Sequence, residues 1–296
     1  YDWFGLFGGL SAKRVLGAPL IFHVHSLEVG RETAPNPQIV ELELKGAGLA
    51  DGVITVSKAM KEQLSSLGIP RDKIDVCYHG VEPEVFSPSA TKKRRIEELR
   101  ERYSLKEEDE VILFVGRLEP VKGVIPLLEA MPKVLKEHPQ AKLLVVGKGT
   151  LEGKVRSMAE VLGGSVKVVT DFLDLESKIH HYALADLCVF PSLYEPFGIV
   201  GVEAAAMERP AVVGASGVSG LREIVDNPSA ERPTGVHVNP NDPSDIAWGI
   251  NLVLADPERR REWGRNGRAK CLDVFNWPRA ARETLEIYEK VISSRR

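Results

Sequence analysis

Short apolar runs recur along this chain, each followed by a longer stretch with helical spacing, and that alternation narrows the possible folds more than any other feature. Val111-Ile112-Leu113-Phe114-Val115 is apolar without interruption, as a strand must be when both faces of its sheet are covered. Further strands are predicted at residues 143–146, 166–169, 187–190, 211–213 and 235–238. Helices are predicted at 124–136 and 175–185, where apolar residues return every three to four positions. Strands alternating with helices imply a parallel, doubly wound α/β sheet. In such sheets ligands bind beyond the carboxyl ends of the strands. Gly116 and Arg117, Gly147 to Gly149, and Pro191 to Glu195 all fall at those ends.

The first part of the chain repeats the pattern. Residues 6–15 read as a helix, 19–24 and 52–56 as strands, 57–67 as a helix capped by Ser57, and 73–77 as a third strand. Residues 82–110 are polar and charged; Pro83 and Pro88 suggest a linker, with a short helix over 94–103 after it. At the other end Asn276-Trp277-Pro278 reads as a helix cap with an early proline. Ala281, Leu285, Tyr288 and Ile292 then form an apolar stripe. The expected division is residues 1–86, 87–275 and a final helix over 276–296. Tyr1 is not a methionine, and Tyr1-Asp2-Trp3-Phe4 looks like the interior of a domain. Residues upstream are therefore expected to be missing.

Composition removes several classes of function. The 296 residues are 43% hydrophobic and 27% charged, with a formal charge of -3, as in soluble globular proteins. Nucleic acid is not an expected partner: the run Lys92-Lys93-Arg94-Arg95 is followed at once by Glu97, Glu98 and Glu101, which reads as a solvated helix face. The 3 cysteines, Cys77, Cys188 and Cys271, are far apart and suit buried, reduced thiols in a cytoplasmic protein. No signal peptide is visible and no apolar run approaches a membrane span.

The most informative stretch is Glu195-Pro196-Phe197-Gly198-Ile199-Val200-Gly201-Val202-Glu203. Two carboxylates flank a turn that opens a helix. The helix N-terminus, at Gly198, Ile199 and Val200, suits an anion such as phosphate. Glu203, about one turn inside, can accept two hydrogen bonds from a diol such as ribose. A surface glutamate in a turn plus one in an amphipathic helix is the plainer alternative. The stretch resembles the Glu-x7-Glu signature of retaining glycosyltransferases with two Rossmann-like domains, the GT-B architecture. The resemblance is to family 4, whose relatives include the glycogen and starch synthases.

Gly116-Arg117-Leu118-Glu119-Pro120-Val121-Lys122-Gly123 follows the first strand of the second half. Arg117 and Lys122 place two positive charges at the sheet edge, where they could stabilise a leaving diphosphate. The Gly-Arg-x4-Lys-Gly pattern also resembles the family's phosphate-binding pair. Val146-Gly147-Lys148-Gly149 lacks the full Gly-x-Gly-x-x-Gly dinucleotide fingerprint; the resemblance makes Gly147 and Gly149 part of a loop bordering the nucleotide. It likewise makes the loop at Asp171-Phe172-Leu173 a contact for the base.

His23 and His25 are two apart and share a strand face. A two-histidine metal site would need a third ligand, and none has matching spacing. The pattern Phe22-His23-Val24-His25-Ser26-Leu27 resembles the glycogen synthase region that supplies an active-site histidine, and the resemblance selects His25. Ser26 to Glu32 resembles an archaeal and bacterial branch of family 4. Ser219-Gly220-Leu221 stands where glycogen synthases usually have Gly-Gly-Leu, and its backbone could approach a sugar or phosphate. His180 and His181 point apart on a helix and read as structural.

The resemblance implies a retaining glycosyltransferase that moves a hexose, glucose foremost, from a nucleotide-sugar co-substrate, ADP- or UDP-glucose, to a glycan or small hydroxyl acceptor. Arg117 and Lys122 would hold the diphosphate, Glu203 the ribose, Glu195 the sugar ring, and His25 would close from the first domain. Phe172, Phe197 and the backbone at Gly116 would complete the donor site. No bound cofactor or metal is expected, and no Asp-x-Asp diad is present. The rival readings are a sugar-nucleotide epimerase, a glucan phosphorylase with lysine-bound pyridoxal, and a non-catalytic nucleotide-sugar-binding fragment.

Overall fold

The computed structural model describes residues 2–31, 34–171 and 173–294. Tyr1, Glu32 and Phe172 lie outside the described residues. Two parallel sheets are present among the described residues. The first has strands β1 (Ile21–Val24), β2 (Gly52–Thr55) and β3 (Ile74–Val76) in that order. Around it lie α1 (Leu6–Leu16), α2 (Glu28–Arg31), α3 (Pro37–Leu49) and α4 (Lys58–Ser66). Ser57 caps α4, its side chain accepting from the Met60 amide. Helices α2 and α3 lie in the segment between the first two strands and are not announced by its apolar spacing.

The second sheet holds β4 (Glu110–Val115), β5 (Ala141–Val146), β6 (Val166–Val169), β7 (Leu187–Phe190), β8 (Ala211–Gly214) and β9 (Gly235–Val238), ordered β6-β5-β4-β7-β8-β9. Its helices are α5 (Lys93–Arg102), α6 (Val124–Glu137), α7 (Glu152–Val161), α8 (Leu175–Leu184), α9 (Ile199–Ala206), α10 (Leu221–Ile224), α11 (Pro243–Leu254) and α12 (Pro257–Val274). The chain winds outward in one direction from β4 through β6, then returns and winds the other way from β7. The reversal leaves a crevice at the carboxyl ends of β4 and β7, where open α/β sheets bind ligands. β4, β7 and β8 are almost wholly buried, which is why their sequences are apolar on both faces.

Two expectations need correction. Residues 82–110 are not a free linker. The Tyr103 hydroxyl at the end of α5 is 2.8 Å from His181 Nε2 on α8, and Arg268 binds the Phe86 carbonyl at 3.0 Å and that of Pro83 at 3.3 Å. Polar composition there reflects an exposed helix face, with Arg94 paired to Glu98 four residues on. The last helix, α13 (Trp277–Ser293), is capped by Asn276 and lies on the first sheet, but turned by one residue from the expected stripe. Ala280, Ile287 and Val291 are buried, whereas Leu285 and Ile292 are 59% and 47% exposed; of the expected stripe, Tyr288 does pack against the sheet, half-buried beside Ile287. Thr284, partly buried, lies on the same stripe, its hydroxyl 3.3 Å from Cys77 Sγ. Two neighbouring stripes have the same period, and only the partner surface selects one.

Burial sets the titration of two histidines, His23 on β1 and His79 just after β3. It lowers His23 and His79 to about 4 from 6.5; the charge of nearby His25 adds to the effect on both. Between those values the unfolded chain binds more protons than the folded one, so stability falls as pH drops from about 6.5 to about 4. The urea midpoint is expected to decline over that window, and less steeply in a His23→Gln/His79→Gln variant. An unchanged slope in the variant would refute the assignment.

Candidate active site

The loops after β4 and β7 meet at the crevice. The Leu193 amide donates to the Val121 carbonyl at 2.8 Å. Gly123 turns α6 away from the loop with φ 69°, and an added Cβ there would lie 1.9 Å from the Pro191 carbonyl oxygen. The two loops are therefore in backbone contact. Lys122 and Glu195, 73 residues apart, are brought to 2.6 Å between Nζ and Oε2. Ser192 Oγ donates to the same carboxylate oxygen at 3.2 Å. Glu195 is 9% exposed, so its charge is compensated where water is scarce.

The loop that carries Glu195 is tied down at its backbone. The Glu195 amide donates to the Val218 carbonyl at 2.9 Å, and the Gly220 amide donates to the Glu195 carbonyl at 2.7 Å. Ser219 is fully buried, with its hydroxyl on the Gly214 carbonyl. The Ser219-Gly220 turn thus supports the Glu195 loop. Gly198 starts α9 at φ 99°, beside Leu221.

Three adjoining cavities share Arg117. One of about 190 Å³ is lined by Gly116, Arg117, Lys122, Glu195, Gly198, Ile199 and Val200, among others. One of about 380 Å³ runs along Gly116, Arg117, Gly147, Lys148, Asp171 and Lys178. One of about 320 Å³ adds His25, His79 and Phe197 to Arg117, Lys122 and Glu195. Most expected site residues therefore face one cleft. Gly149 and Glu203 do not line these cavities; an added Cβ on Gly149 would lie 2.5 Å from the Leu118 carbonyl oxygen, so it serves loop packing, and Glu203 lies behind the lining Lys178, 2.5 Å from its Nζ. Phe197 is 4% exposed and doubles as core, edge-on to Phe275.

Of the two histidines, His25 reaches this cleft, whereas His23 Nε2 lies 3.0 Å from the Tyr288 hydroxyl of α13. Asp2 holds His25, accepting from its amide at 2.8 Å and lying 3.4 Å from Nδ1. His79 stacks on His25 at 5.2 Å between ring centroids. Sequence reading missed His79 and Asp2. His79 comes just after β3 and had no local motif to mark it. His180 and His181 are structural as expected: each Nδ1 lies 2.7 Å from the carbonyl four residues earlier.

A model of the glycosyl transferases group 1 family matches residues 95–270, and one described as Glycosyltransferase Family 4 matches residues 1–85. The chain belongs to the glycosyl transferases group 1 family. It is 35% identical to an uncharacterized glycosyltransferase of Methanocaldococcus jannaschii, over 98% of this chain and 74% of that protein. It is 29% identical to a glycogen synthase of Mycobacterium tuberculosis, over 97% of this chain and 67% of that enzyme. Sucrose-phosphate synthase from Thermosynechococcus elongatus superposes with a TM-score of 0.81 at 27% identity, over 99% of this chain and 72% of that one. The protein is thus a glycosyltransferase enzyme of GT-B architecture, related to the glycogen synthases.

In this glycosyltransferase the two sheets are clasped beside the cleft. Glu223 accepts from the Lys58 and Ala59 amides, both at 2.9 Å, at the N-terminus of α4, and from the Tyr78 hydroxyl at 2.8 Å. A carboxylate at a helix N-terminus meets unpaired N–H groups and the positive dipole end. Tyr194 reaches across to the Leu27 amide at 3.2 Å, and its ring fills the space that a Cβ on Gly30 would need. Glu223→Gln is expected to speed amide hydrogen exchange at Lys58 and Ala59 by about tenfold, the scale of one lost charged contact. Unchanged exchange at both amides would mean that Glu223 does not hold the clasp.

Proposed function

We propose that the chain transfers a hexose, glucose foremost, from a nucleoside-diphosphate sugar to a hydroxyl acceptor with retention of anomeric configuration. The observation that carries this reading is the Lys122–Glu195 contact of 2.6 Å at the point where the strand order reverses, with His25 facing it across the cleft. In the proposed complex the donor lies along the three cavities. Its base is near Asp171 and Gly147, its diphosphate by Arg117, Lys122 and the N-terminus of α9, and its sugar between Glu195 and His25. Glu203 accepts from the ribose hydroxyls. The diphosphate then draws Lys122 from Glu195, which becomes free to bind sugar hydroxyls.

The chemistry balances without a side-chain base. The acceptor oxygen bonds to the anomeric carbon on the face that the diphosphate leaves. The bond between that carbon and the phosphate oxygen breaks, and its electron pair stays on the phosphate. The acceptor proton passes to that oxygen. Arg117 and Lys122 stabilise the charge as it develops. Relation to a glycogen synthase supports a glucosyl donor, ADP- or UDP-glucose, and a glycan acceptor. No helix among the described residues is long and apolar enough to cross a membrane. The three free, buried thiols favour the reducing cytoplasm.

Calorimetric titration with ADP, UDP, GDP and their glucose conjugates tests the reading. One nucleotide pair is expected to bind preferentially, and binding should weaken sharply in Lys122→Ala. Binding of none, or binding indifferent to Lys122, would overturn it.

A further inference from the structure

One carboxylate beside the cleft is gripped from two sides by side chains that no sequence motif marks. Glu203 lies in the second turn of α9 and is 6% exposed. Lys178 Nζ sits 2.5 Å from its Oε1, and the Tyr182 hydroxyl donates to Oε2 at 2.8 Å. Both donors come from α8, four residues apart, and so rise from one face of that helix. They differ in environment. Tyr182 is fully buried, and burial together with the Glu203 charge raises its phenol well above the usual value. It is therefore a permanent hydrogen-bond donor. Lys178 is 26% exposed at its side chain and lines the cavity of about 380 Å³ with Gly116, Arg117, Gly147 and Asp171.

A carboxylate offers about four lone-pair sites on its two oxygens. Tyr182 and Lys178 take one on each oxygen. One site per oxygen remains, which matches the two hydroxyls of a vicinal diol. We infer that Lys178 and Tyr182 are positioning residues that aim the open lone pairs of Glu203 at the nucleotide ribose, and so determine the choice of ribonucleotide over deoxyribonucleotide donors. The inference rests on the proposed placement of the donor. Tyr182 sets the direction of the carboxylate from the core side. Lys178 offsets its charge and holds the oxygen next to the nucleotide cavity. Without either, the carboxylate can rotate, and the diol meets one hydrogen bond in place of two.

The test compares ADP or UDP, whichever binds, with its 2′,3′-dideoxy form by calorimetry. The proteins are the full chain and the variants Tyr182→Phe, Lys178→Met, Lys178→Arg and Glu203→Gln. Wild type is expected to favour the ribonucleotide by at least about tenfold, the scale of a hydrogen-bonded hydroxyl on a charged group. Tyr182→Phe and Lys178→Met should each cut that ratio about threefold or more while leaving dideoxynucleotide affinity nearly unchanged, and Lys178→Arg should restore it. Tyr182→Phe keeps the ring in the core and Lys178 is partly exposed, so both variants should fold; a urea midpoint for each checks this. Loss of the ratio in Glu203→Gln with a wild-type ratio in Tyr182→Phe and Lys178→Met would overturn the inference and leave the donor placement standing. Equal weakening toward both nucleotides would mean a merely structural role and would also overturn it. A ratio that survives Glu203→Gln would remove the donor placement itself, and the inference with it.

Discussion

Lys122→Ala is expected to lower kcat/KM for sugar transfer by at least about a hundredfold, or close to 3 kcal/mol of transition-state stabilisation. The ammonium is 18% exposed at its side chain and fixed 2.6 Å from Glu195, at the edge where the proposed leaving diphosphate gathers charge. A preorganised cation in a site largely closed to water acts more strongly than the same charge in solvent. The replacement has a second effect. It leaves the buried Glu195 carboxylate with Ser192 as its remaining side-chain hydrogen-bond donor among the described residues. Part of any loss could then come from a disturbed loop. A Lys122→Met/Glu195→Gln double variant separates the two. It should regain the urea midpoint that Lys122→Ala loses, without regaining transfer. Initial rates with the donor identified by calorimetry supply the measurement, and full transfer by Lys122→Ala would show that the diphosphate is not held there.

Gly123→Ala should be a severely damaging small substitution. Gly123 has φ 69°, and the new Cβ would lie 1.9 Å from the Pro191 carbonyl oxygen. The backbone conformation alone costs a non-glycine residue about 1–2 kcal/mol. The overlap adds to that by pushing apart the two loops that bring Lys122 to Glu195. A loss of about 3 kcal/mol in urea denaturation is expected, with transfer down by at least about tenfold because reacting groups tolerate little displacement. Gly153→Ala is the control. It lies inside α7, where an added Cβ meets nothing within 4 Å, and it should leave transfer unchanged while raising stability by about 0.5–1 kcal/mol. Equal behaviour of the two variants would refute the argument.

Legibility from sequence followed the range of the interactions. The strands of the second sheet could be read closely, with β6, β7 and β9 found at their observed bounds, because a strand buried on both faces must be apolar throughout. The loops at the strand ends could be placed for the same reason, and with them the positions of Arg117, Lys122 and Glu195; the roles given to these residues and to Glu203 came from the family resemblance. Helices α2 and α3 were harder: α3 buries Glu43, whose carboxylate accepts from the Glu28 amide and from Arg31. A buried charge of this kind breaks the apolar pattern that would announce the helix.

By itself the sequence determined the alternation of strands and helices, the carboxyl edge at which charged and glycine residues collect, and the kinship with glycogen synthases. The first two follow from periodicity and spacing, which are local properties of a chain; the kinship rests on the resemblance of short motifs to a known family. Only the tertiary structure decided which stripe of α13 is buried and that residues 82–110 pack as part of the body. It alone joined His79 to His25, Tyr182 and Lys178 to Glu203, and Glu223 to the start of α4. Each of those contacts spans a distance in sequence that no period encodes. A repeating pattern says which face of an element is apolar or polar, but the surface that meets it depends on how every other element packs.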